Sequence, residues 1–503
     1  MPVRRAMGPH PDHTRELIDR MSITQEVAHS LKWVTISKFA AQIIRWTVTF
    51  LVIRILSPDD YGLMAMAGVV LSFFEVFASA GLGTALIQAA SFSHRQVQEI
   101  FGLILLVNLT LAVGMVLLAP WAAGYYQDDR LIPILHILPV VFMISALETL
   151  PSAMLTRGMQ FKRRSLSELA ASTIAALITL GLAWKGLGIW ALIWGYICEV
   201  ALRALFLNLV NPMLLIPKFH FGTSLSLISF GGTKTLVMFA WFIFSSMDLF
   251  IGGRLWSAEV LGIYAIAIQL SHIPLNKLTP IVKQVALPAY AKIHHQPGDE
   301  LSNYYLKANG LTMLIAFPIF FGLAAVSPVL IPVLLGEKWL AAILPATLLP
   351  LILPFRMSQE LMDPVLEAIG RPKEALKNWM IIISIITPSL YLGAFWGGVV
   401  GLCIGWLVGM PLSYALTSRI TIQNLGIDPR AFSRTVFPPL IIAMIMLTAV
   451  RGIHFFMTDL LPGIPLLILE VSVGAITYTS LAWLFCNDEF RSALHILSRL
   501  RRR

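Results

Sequence analysis

The stretch RILSPDDYGLMAMA, residues 54–67, recurs 200 residues later as RLWSAEVLGIYAIA, residues 254–267. Both copies follow an apolar segment, and the alignment holds without a gap back to Thr35 and Thr235, with ten identities in thirty-three positions. Apolar helices share residues partly through composition, but a common arginine, serine and glycine around one turn is harder to obtain by chance. The chain therefore reads as a duplication. Two similar helix bundles that can rock about a site between them are typical of membrane transporters.

The composition places the chain in a membrane. Hydrophobic residues make up 57% of the 503 residues and charged residues only 13%, and this apolar share is well above that of an ordinary soluble domain. The three cysteines lie apart in or beside apolar segments, without CxxC or histidine spacing. Neither a disulfide framework nor a metal site is predicted from them, and we expect no cofactor.

An all-α polytopic fold follows from the distribution of apolar segments. A helix that crosses a bilayer needs about 20 mostly apolar residues, and by this criterion the sequence predicts about 14 transmembrane helices. We expect two pseudo-symmetric six-helix lobes around a central cavity, followed by two C-terminal helices. The predicted segments are a cytoplasmic N-terminal tail (1–30), an N-lobe of TM1–6 (31–210), a cytoplasmic linker (211–224), a C-lobe of TM7–12 (225–420), two extra helices, TM13–14 (421–486), and a basic cytoplasmic tail (487–503).

Basic residues are distributed unevenly between alternate loops. Cytoplasmic loops carry an excess of Lys and Arg, and here one set of loops holds clusters such as 162–164, whereas the other holds isolated bases among acids such as Asp59 and Asp60. Both termini are therefore predicted to face the cytoplasm. The net charge of +10 is explained by this asymmetry beside anionic inner-leaflet lipid. No nucleic-acid partner is expected, because the bases are dispersed over loops and not gathered on one face.

The loops are too short to form a catalytic domain. The sequence contains no nucleotide-binding Gly-Lys-Ser/Thr loop and no HExxH or GxSxG motif. We therefore expect a transporter and not an enzyme. Without an ATP site, uphill transport would draw on a gradient of a coupling ion, H⁺ or Na⁺, or the process would be driven by later consumption of the product.

Charged residues at membrane depth are the candidate functional groups, because each costs roughly 2.5–3.5 kcal/mol at the membrane centre and normally faces a cavity or a partner. A cationic, water-filled cavity able to hold anionic phosphate is predicted from the bases Lys38, Arg45, Lys234, Lys277 and Lys283. Candidate counter-ions or coupling groups are the acids Glu75, Asp248 and Glu360. Bases near span ends could instead anchor helices at the headgroups, and Glu199 and Arg203, one turn apart, could pair with each other.

Three stretches carry a resemblance to a known family: LSPDDYGLMAMA from Leu56, LETLPSAMLTRGMQFKRRS from Leu147 to Ser165, and RLWSAEVLGIYAIA from Arg254. They resemble the Wzx-type polysaccharide flippases of the multidrug/oligosaccharidyl-lipid/polysaccharide (MOP) exporter superfamily, and most closely the exopolysaccharide branch that serves colanic acid and succinoglycan. The resemblance extends over about residues 25–485. It implies a MATE-like fold of two lobes in a V shape, which alternates between inward-open and outward-open states.

The same resemblance implies a function in the bacterial inner membrane. It is the translocation of undecaprenyl-diphosphate-linked oligosaccharide repeat units from the cytoplasmic to the periplasmic leaflet, for the synthesis of exopolysaccharide, capsule or O-antigen. The expected partners are this lipid-linked glycan, the membrane lipids, the polysaccharide polymerase and the chain-length regulator. Such a cargo needs cations for its phosphates, polar groups for its sugars and a lateral gap for its polyprenyl chain.

Three other functions remain open at this point. A peptidoglycan-precursor flippase would share the fourteen spans and a cationic cavity. A drug/cation antiporter of the same superfamily would have twelve spans and a mainly acidic cavity, whereas the first span here carries Lys38 and Arg45. A polysaccharide polymerase or ligase would need large periplasmic loops with reactive residues, which the sequence lacks.

Overall fold

The structure is a computed structural model that describes residues 42–78, 86–87, 92–213, 215–219, 231–293 and 300–486, and the side chains of 231–237, 281–289 and 291–293 lie outside this description. Every regular element in the described ranges is helical. The helices of the first half are α1 (42–55), α2 (Pro58–Ala78), α3 (His94–Tyr126), α4 (Leu131–Ile137), α5 (Val140–Arg157), α6 (Phe161–Trp184) and α7 (Ile189–Val210).

The second half is built in the same way and is followed by two further helices. Its helices are α8 (Gly231–Leu255), α9 (Ala258–Ile293), α10 (Glu300–Leu334), α11 (Ile343–Leu348), α12 (Leu353–Gln359), α13 (Met362–Ala368) and α14 (Pro372–Leu425), with short 3₁₀ turns at Glu337–Ala342 and Leu349–Ile352. The last two helices are α15 (Pro429–Met457) and α16 (Ile464–Phe485).

Twelve helical stretches in the described residues are long and apolar enough to cross a membrane. One of them, α14, is 54 residues long and breaks at Gly398, whose φ of 55° lies in the left-handed region. Its two arms fold closely against each other. A methyl group at Gly393 would lie only 2.2 Å from the carbonyl oxygen of Gly401. The all-α, multi-pass membrane fold is thus confirmed. The count of 14 spans is not confirmed and stays a prediction, since α1 is described only from residue 42.

The turns of the duplicated stretch are built alike in both halves. The first ends α1 at residue 55 and begins α2 at Pro58, and the second ends α8 at Leu255 and begins α9 at Ala258. Ser57 caps α2, because its Oγ accepts from the Asp60 amide at 3.2 Å while the Asp60 carboxylate accepts from the Ser57 amide at 2.9 Å, as in a capping box. The repeated serine therefore serves as a helix cap. We call the end of the bundle that carries these turns the repeat-turn end.

The C-terminal helices α15 and α16 are attached to the second half. Both pack against α10, where Asn309 donates to the Thr435 hydroxyl at 2.8 Å and the Tyr478 hydroxyl donates to the Leu314 carbonyl at 3.0 Å. Hydrogen bonds between helices contribute to association in lipid, where burial of apolar surface gives little driving force. The two halves are therefore unequal in size.

An ion cluster closes the turn between α3 and α4 at the repeat-turn end. Arg130 contacts Asp128 at 2.6 Å and, on α2, Asp59 at 2.6 Å. The side-chain hydrogen bonds from Arg130 lower the pKa of Asp128, and the hydrogen bonds to Asp128 and Asp59 raise the pKa of Arg130. The cluster thereby ties the α3–α4 turn to the first turn of α2.

This cluster should make the stability of the protein depend on acid pH. Because the pKa of Asp128 is lower in the folded protein than its ordinary value of 3.8, its charge stabilises the fold above that value, and the contribution is lost as the pH falls below it. We expect the Tm of the detergent-solubilised wild type to fall more steeply between about pH 5 and about pH 3 than that of Arg130→Ala. Lys185→Ala, which removes an exposed base at the same end, should keep the wild-type slope. Equal slopes for wild type and Arg130→Ala would contradict the prediction.

Candidate functional site

A polar cavity lies among α1, α2, α6 and α7. It consists of two adjoining pockets, of about 570 Å³ and about 360 Å³, which share Arg45, Ser172 and Glu199. The second half contributes three side chains to its wall, Leu249, Ala265 and Gln269. Both halves enclose the cavity, but most of its polar lining residues come from the first half.

Arg45 is the central cation of this cavity. From the first described turn of α1 its Nη1 donates to the Ser172 hydroxyl on α6 at 3.0 Å, and its Nη2 donates to Gln42 three residues earlier. Its Nε is buried and has no hydrogen-bond partner among the residues that the structure describes. Both partners are neutral, so the positive charge of Arg45 is oriented by its contacts but is not neutralised by them.

The other charged groups of the cavity are largely engaged in ion pairs. Arg203 contacts Glu148 on α5 at 2.7 Å, and Glu168 contacts Arg164 at 2.8 Å. The pairing of Arg203 with Glu199, suggested by their spacing, gives way to this contact across helices. Arg203, Glu168 and Glu199 all line the cavity with Arg45, so its described wall carries as many acids as bases.

The other four predicted bases either lie outside the description or sit at the rim of the cavity. Lys38 lies outside the described residues, and Lys234 and Lys283 lie on α8 and α9 with side chains outside the description. Lys277 is exposed, and its Nζ donates to Gln42 Oε1 at 3.3 Å, so that it joins α9 to α1 at the rim of the cavity. Of the five bases, Arg45 is the one whose described side chain lines the cavity, and the roles of all five stay predictions.

Two of the three predicted acids differ in how they lie relative to the cavity: Glu75 contacts a residue of its wall, whereas Asp248 faces into the second half. Glu75 accepts a hydrogen bond at 2.7 Å from the hydroxyl of Tyr196, which lines the cavity. Asp248 is 5% exposed and points into the second half, where it accepts from the Tyr264 hydroxyl at 3.1 Å and from the amide of Leu249 at 2.8 Å. Asp248 is therefore not among the residues that line the cavity, whereas its neighbour Leu249 is.

Glu360, the third acid, belongs to a polar region inside the second half. It lines a small cavity of about 20 Å³ together with Arg356 and Asp363. The Arg356 guanidinium lies 3.0 Å from His272 Nε2 and 4.8 Å from the centre of the Phe244 ring. The described residues contain no group of three or more His, Cys, Asp or Glu side chains placed to hold a metal ion.

Sequence reasoning missed the neutral members of the site. Ser172, Gln42 and Gln269 line the cavity, but uncharged residues in apolar helices give no signal of their own. Glu168 follows the MQFKRRS stretch by three residues, and that stretch could have drawn attention to it. A further cavity of about 420 Å³ between α2, α3 and α8 is lined by apolar and aromatic side chains without a charge, so it is unsuited to phosphate.

Comparison with known proteins places the chain in a family. The profile of the polysaccharide biosynthesis protein family, Polysacc_synt_3, matches residues 51–344, which is more than half of the chain. The chain belongs to this family. The matched region includes both duplicated turns and most of the residues that line the polar cavity. The resemblance drawn from the three sequence stretches is confirmed.

Several full-length relatives agree with this membership. The chain is 24% identical to the teichuronic acid biosynthesis protein TuaB of Bacillus subtilis, over 91% of this chain and 95% of the relative. It is 22% identical to the lipopolysaccharide biosynthesis protein WzxC of Escherichia coli, over 84% and 87% of the two chains. It is 24% identical to the succinoglycan biosynthesis transport protein ExoT of Rhizobium meliloti, over 90% and 92%.

Solved structures show the same fold. The lipid II flippase MurJ in an inward closed conformation superposes with a TM-score of 0.69 at 14% identity, covering 90% of this chain and 99% of that one. An inward-facing multidrug resistance MATE family transporter of the MOP superfamily gives a TM-score of 0.57 at 13% identity, covering 76% and 95%. The chain thus has the fold of these MOP-superfamily structures.

The contact between Arg203 and Glu148 should be measurable as an energetic coupling. Each side chain is partly buried, so removal of one leaves the other without its partner in a poorly solvated place. We expect Arg203→Ala and Glu148→Ala each to lower the Tm in detergent, and the double variant to lower it by less than the sum, with a coupling free energy of about 1 kcal/mol. Strict additivity in this cycle would show that the pair contributes nothing. A parallel cycle with Arg203 and Glu199, one turn apart on α7, should give a smaller coupling free energy than this pair.

Proposed function

We propose that the protein is an inner-membrane flippase that moves undecaprenyl-diphosphate-linked oligosaccharide repeat units from the cytoplasmic to the periplasmic leaflet by alternating access. The observation that carries the proposal is Arg45, an oriented but unneutralised cation in a polar cavity of a MOP fold. A diphosphate cannot enter hydrocarbon without such a partner. The cavity also offers hydroxyl and amide groups that suit sugar hydroxyls.

The position of Arg45 fits a transport site. It lies ten residues before the end of α1, which corresponds to about 15 Å along a helix and to half of a hydrocarbon core of roughly 30 Å. A site at the midplane between repeats is the usual arrangement in transporters. Arg45 therefore stands where a cargo would be equally far from both leaflets.

The asymmetry of the cavity supports a direction. The α6 helix begins in the basic cluster 162–164, which the positive-inside rule assigns to the cytoplasm, and Ser165 and Glu168 beside that cluster line the cavity. The repeat-turn end is then periplasmic, and both termini are cytoplasmic. On this assignment the cavity reaches toward the cytoplasm while the halves meet at the periplasmic end, as in an inward-facing state.

Family membership separates the candidate functions better than the charge of the cavity does. Equal numbers of acids and bases in the described wall would also suit a drug/cation antiporter, and a peptidoglycan-precursor flippase would carry a similar diphosphate. Relatives named for teichuronic acid, lipopolysaccharide and succinoglycan biosynthesis favour a polysaccharide repeat unit. We also propose the polysaccharide polymerase and the chain-length regulator as partners that consume the product.

The leaflet location of the lipid-linked repeat unit tests this function. In a strain deleted for the gene, a membrane-impermeant sugar-modifying probe applied to intact spheroplasts should find the repeat unit protected, and restoring the gene should expose it. Accessible units and normal polymer in the deletion strain would refute the flippase. Loss of viability with accumulation of peptidoglycan precursor would point to the second candidate, and restored drug efflux alone to the third.

Arg45 should be required for polymer export. Replacing it with alanine removes the cation that would face the diphosphate, a loss of about 2 kcal/mol or more of binding free energy and so at least about 30-fold in affinity. We expect Arg45→Ala to abolish polymer secretion at a wild-type protein level, and Arg45→Gln, which keeps hydrogen-bonding groups without the charge, to do nearly the same.

A matched control is Arg430→Ala, which removes an exposed arginine at the start of α15, far along the chain from the cavity. It should secrete normally. Normal secretion by Arg45→Ala at equal protein level would remove the main support for the proposed site.

We further propose that H⁺ or Na⁺ drives the cycle through Asp248 and Glu360. Arg356 lies in the same polar region, so that a change in protonation or ion occupancy of either acid would alter its surroundings. In inverted vesicles, Asp248→Asn and Glu360→Gln should lose the response of transport to an imposed proton or sodium gradient while downhill exchange persists. Unchanged gradient dependence in both variants would exclude this coupling.

A further inference from the structure

The repeated glycines of the two halves meet each other. Near the N-termini of α2 and α9, a methyl group at Gly62 would lie 1.7 Å from the carbonyl oxygen of Ala258, and a methyl group at Gly262 would lie 1.8 Å from the carbonyl oxygen of Pro58. The second methyl group would also lie 2.8 Å from the Gly62 nitrogen. Each half thus makes the same contact with the other, as the duplication relates them.

These contacts join backbone to backbone, so rotation of a side chain cannot relieve a clash there. Small residues let membrane helices approach closely, and at such distances the Cα hydrogens of glycine face carbonyl oxygens of the other helix. A single added carbon on either helix would force α2 and α9 apart. The contact therefore holds only where both positions are glycine.

We infer that this glycine crossing is the closing contact of the periplasmic gate. The inference rests on the proposed transport cycle, in which the halves separate at the repeat-turn end to release cargo. It assigns to the repeated glycine a role that the polar cavity does not explain: it lets two helices of opposite halves close on each other without an intervening side chain.

Hydrogen bonds across the same end support this assignment. The last carbonyls of a helix have no partner within it, and here several of them accept from the other half. Trp339 donates to the Ile53 carbonyl at 3.0 Å and Lys338 to the Leu56 carbonyl, both at the end of α1. Arg254 donates to the Tyr125 carbonyl at the end of α3 at 2.7 Å. Water could replace each of these donors when the halves part, so the contacts suit a gate that opens reversibly.

The gate can be tested with a thiol reporter that needs no substrate. Ala65 lines the polar cavity one turn beyond Gly62, and Ala65→Cys would be reached from outside only when the periplasmic end opens. We would treat intact spheroplasts with a membrane-impermeant maleimide and subtract the labelling of the parent, which carries Cys198, Cys403 and Cys486. Gly62→Ala and Gly262→Ala should each raise external labelling of the reporter several-fold.

Gly68→Ala is the matched control, because Gly68 lies on the same helix and a methyl group there would meet nothing within 4 Å. It should leave labelling at the parental level. Trp339→Phe serves as a milder variant, since it removes one donor to α1 and keeps the ring, and it should raise labelling in the same direction. If the glycine variants do not reach the membrane, the labelling measured with Trp339→Phe decides whether the gate proposal holds.

The gate would be overturned if labelling stayed at the parental level in every variant that folds among Gly62→Ala, Gly262→Ala and Trp339→Phe. The readout does not depend on the cargo, so its outcome is separable from that of the leaflet experiment. Raised labelling together with normal leaflet exposure in the deletion strain would uphold the gate and reject the proposed cargo.

Discussion

A bilayer core supplies no water to polar groups, and every charged side chain in it must find a partner or a cavity. This constraint divides the charged residues into those with a hydrogen-bonding or charged partner and those that face a cavity. Arg203 is matched by Glu148, and Asp248 by the Tyr264 hydroxyl and a backbone amide. Among the residues that the structure describes, Arg45 hydrogen-bonds to the neutral groups of Ser172 and Gln42. An arginine oriented by neutral groups beside a polar cavity is poorly explained by packing, and we therefore regard it as the centre of the candidate site.

The two halves keep a common backbone and have diverged in chemistry. The capping serine and the glycine recur at 57 and 257 and at 62 and 262, and in both copies they shape the turn and the helix crossing. At the position of Arg45 the second half has Ser245, and at the position of Asp248 the first half has Val48. The scaffold for a rocking movement is therefore symmetric, whereas Arg45 and Asp248 each have an uncharged residue at the corresponding position of the other half.

Local features of the sequence predicted most of the fold. The apolar spans and the repeated turn are visible because each depends on neighbouring residues. Arg45 could be singled out from the sequence, since a basic residue within an apolar span is conspicuous. The partners could not, because Ser172 lies 127 residues from Arg45, and the pairing of Arg203 with Glu148 depends on how α7 and α5 are rotated against each other. Such rotations are set by packing of whole helices.

The attachment of α15 and α16 to α10 has a mechanical consequence. The second half presents a longer perimeter to the lipid than the first, because two more helices are fixed to it by buried contacts such as Asn309 to Thr435. Viscous drag in a membrane rises with perimeter, so when the halves turn relative to each other the smaller body turns further. Much of the lipid rearrangement that accompanies each cycle would then occur around α1 to α7, the same helices that carry the cation and the cavity.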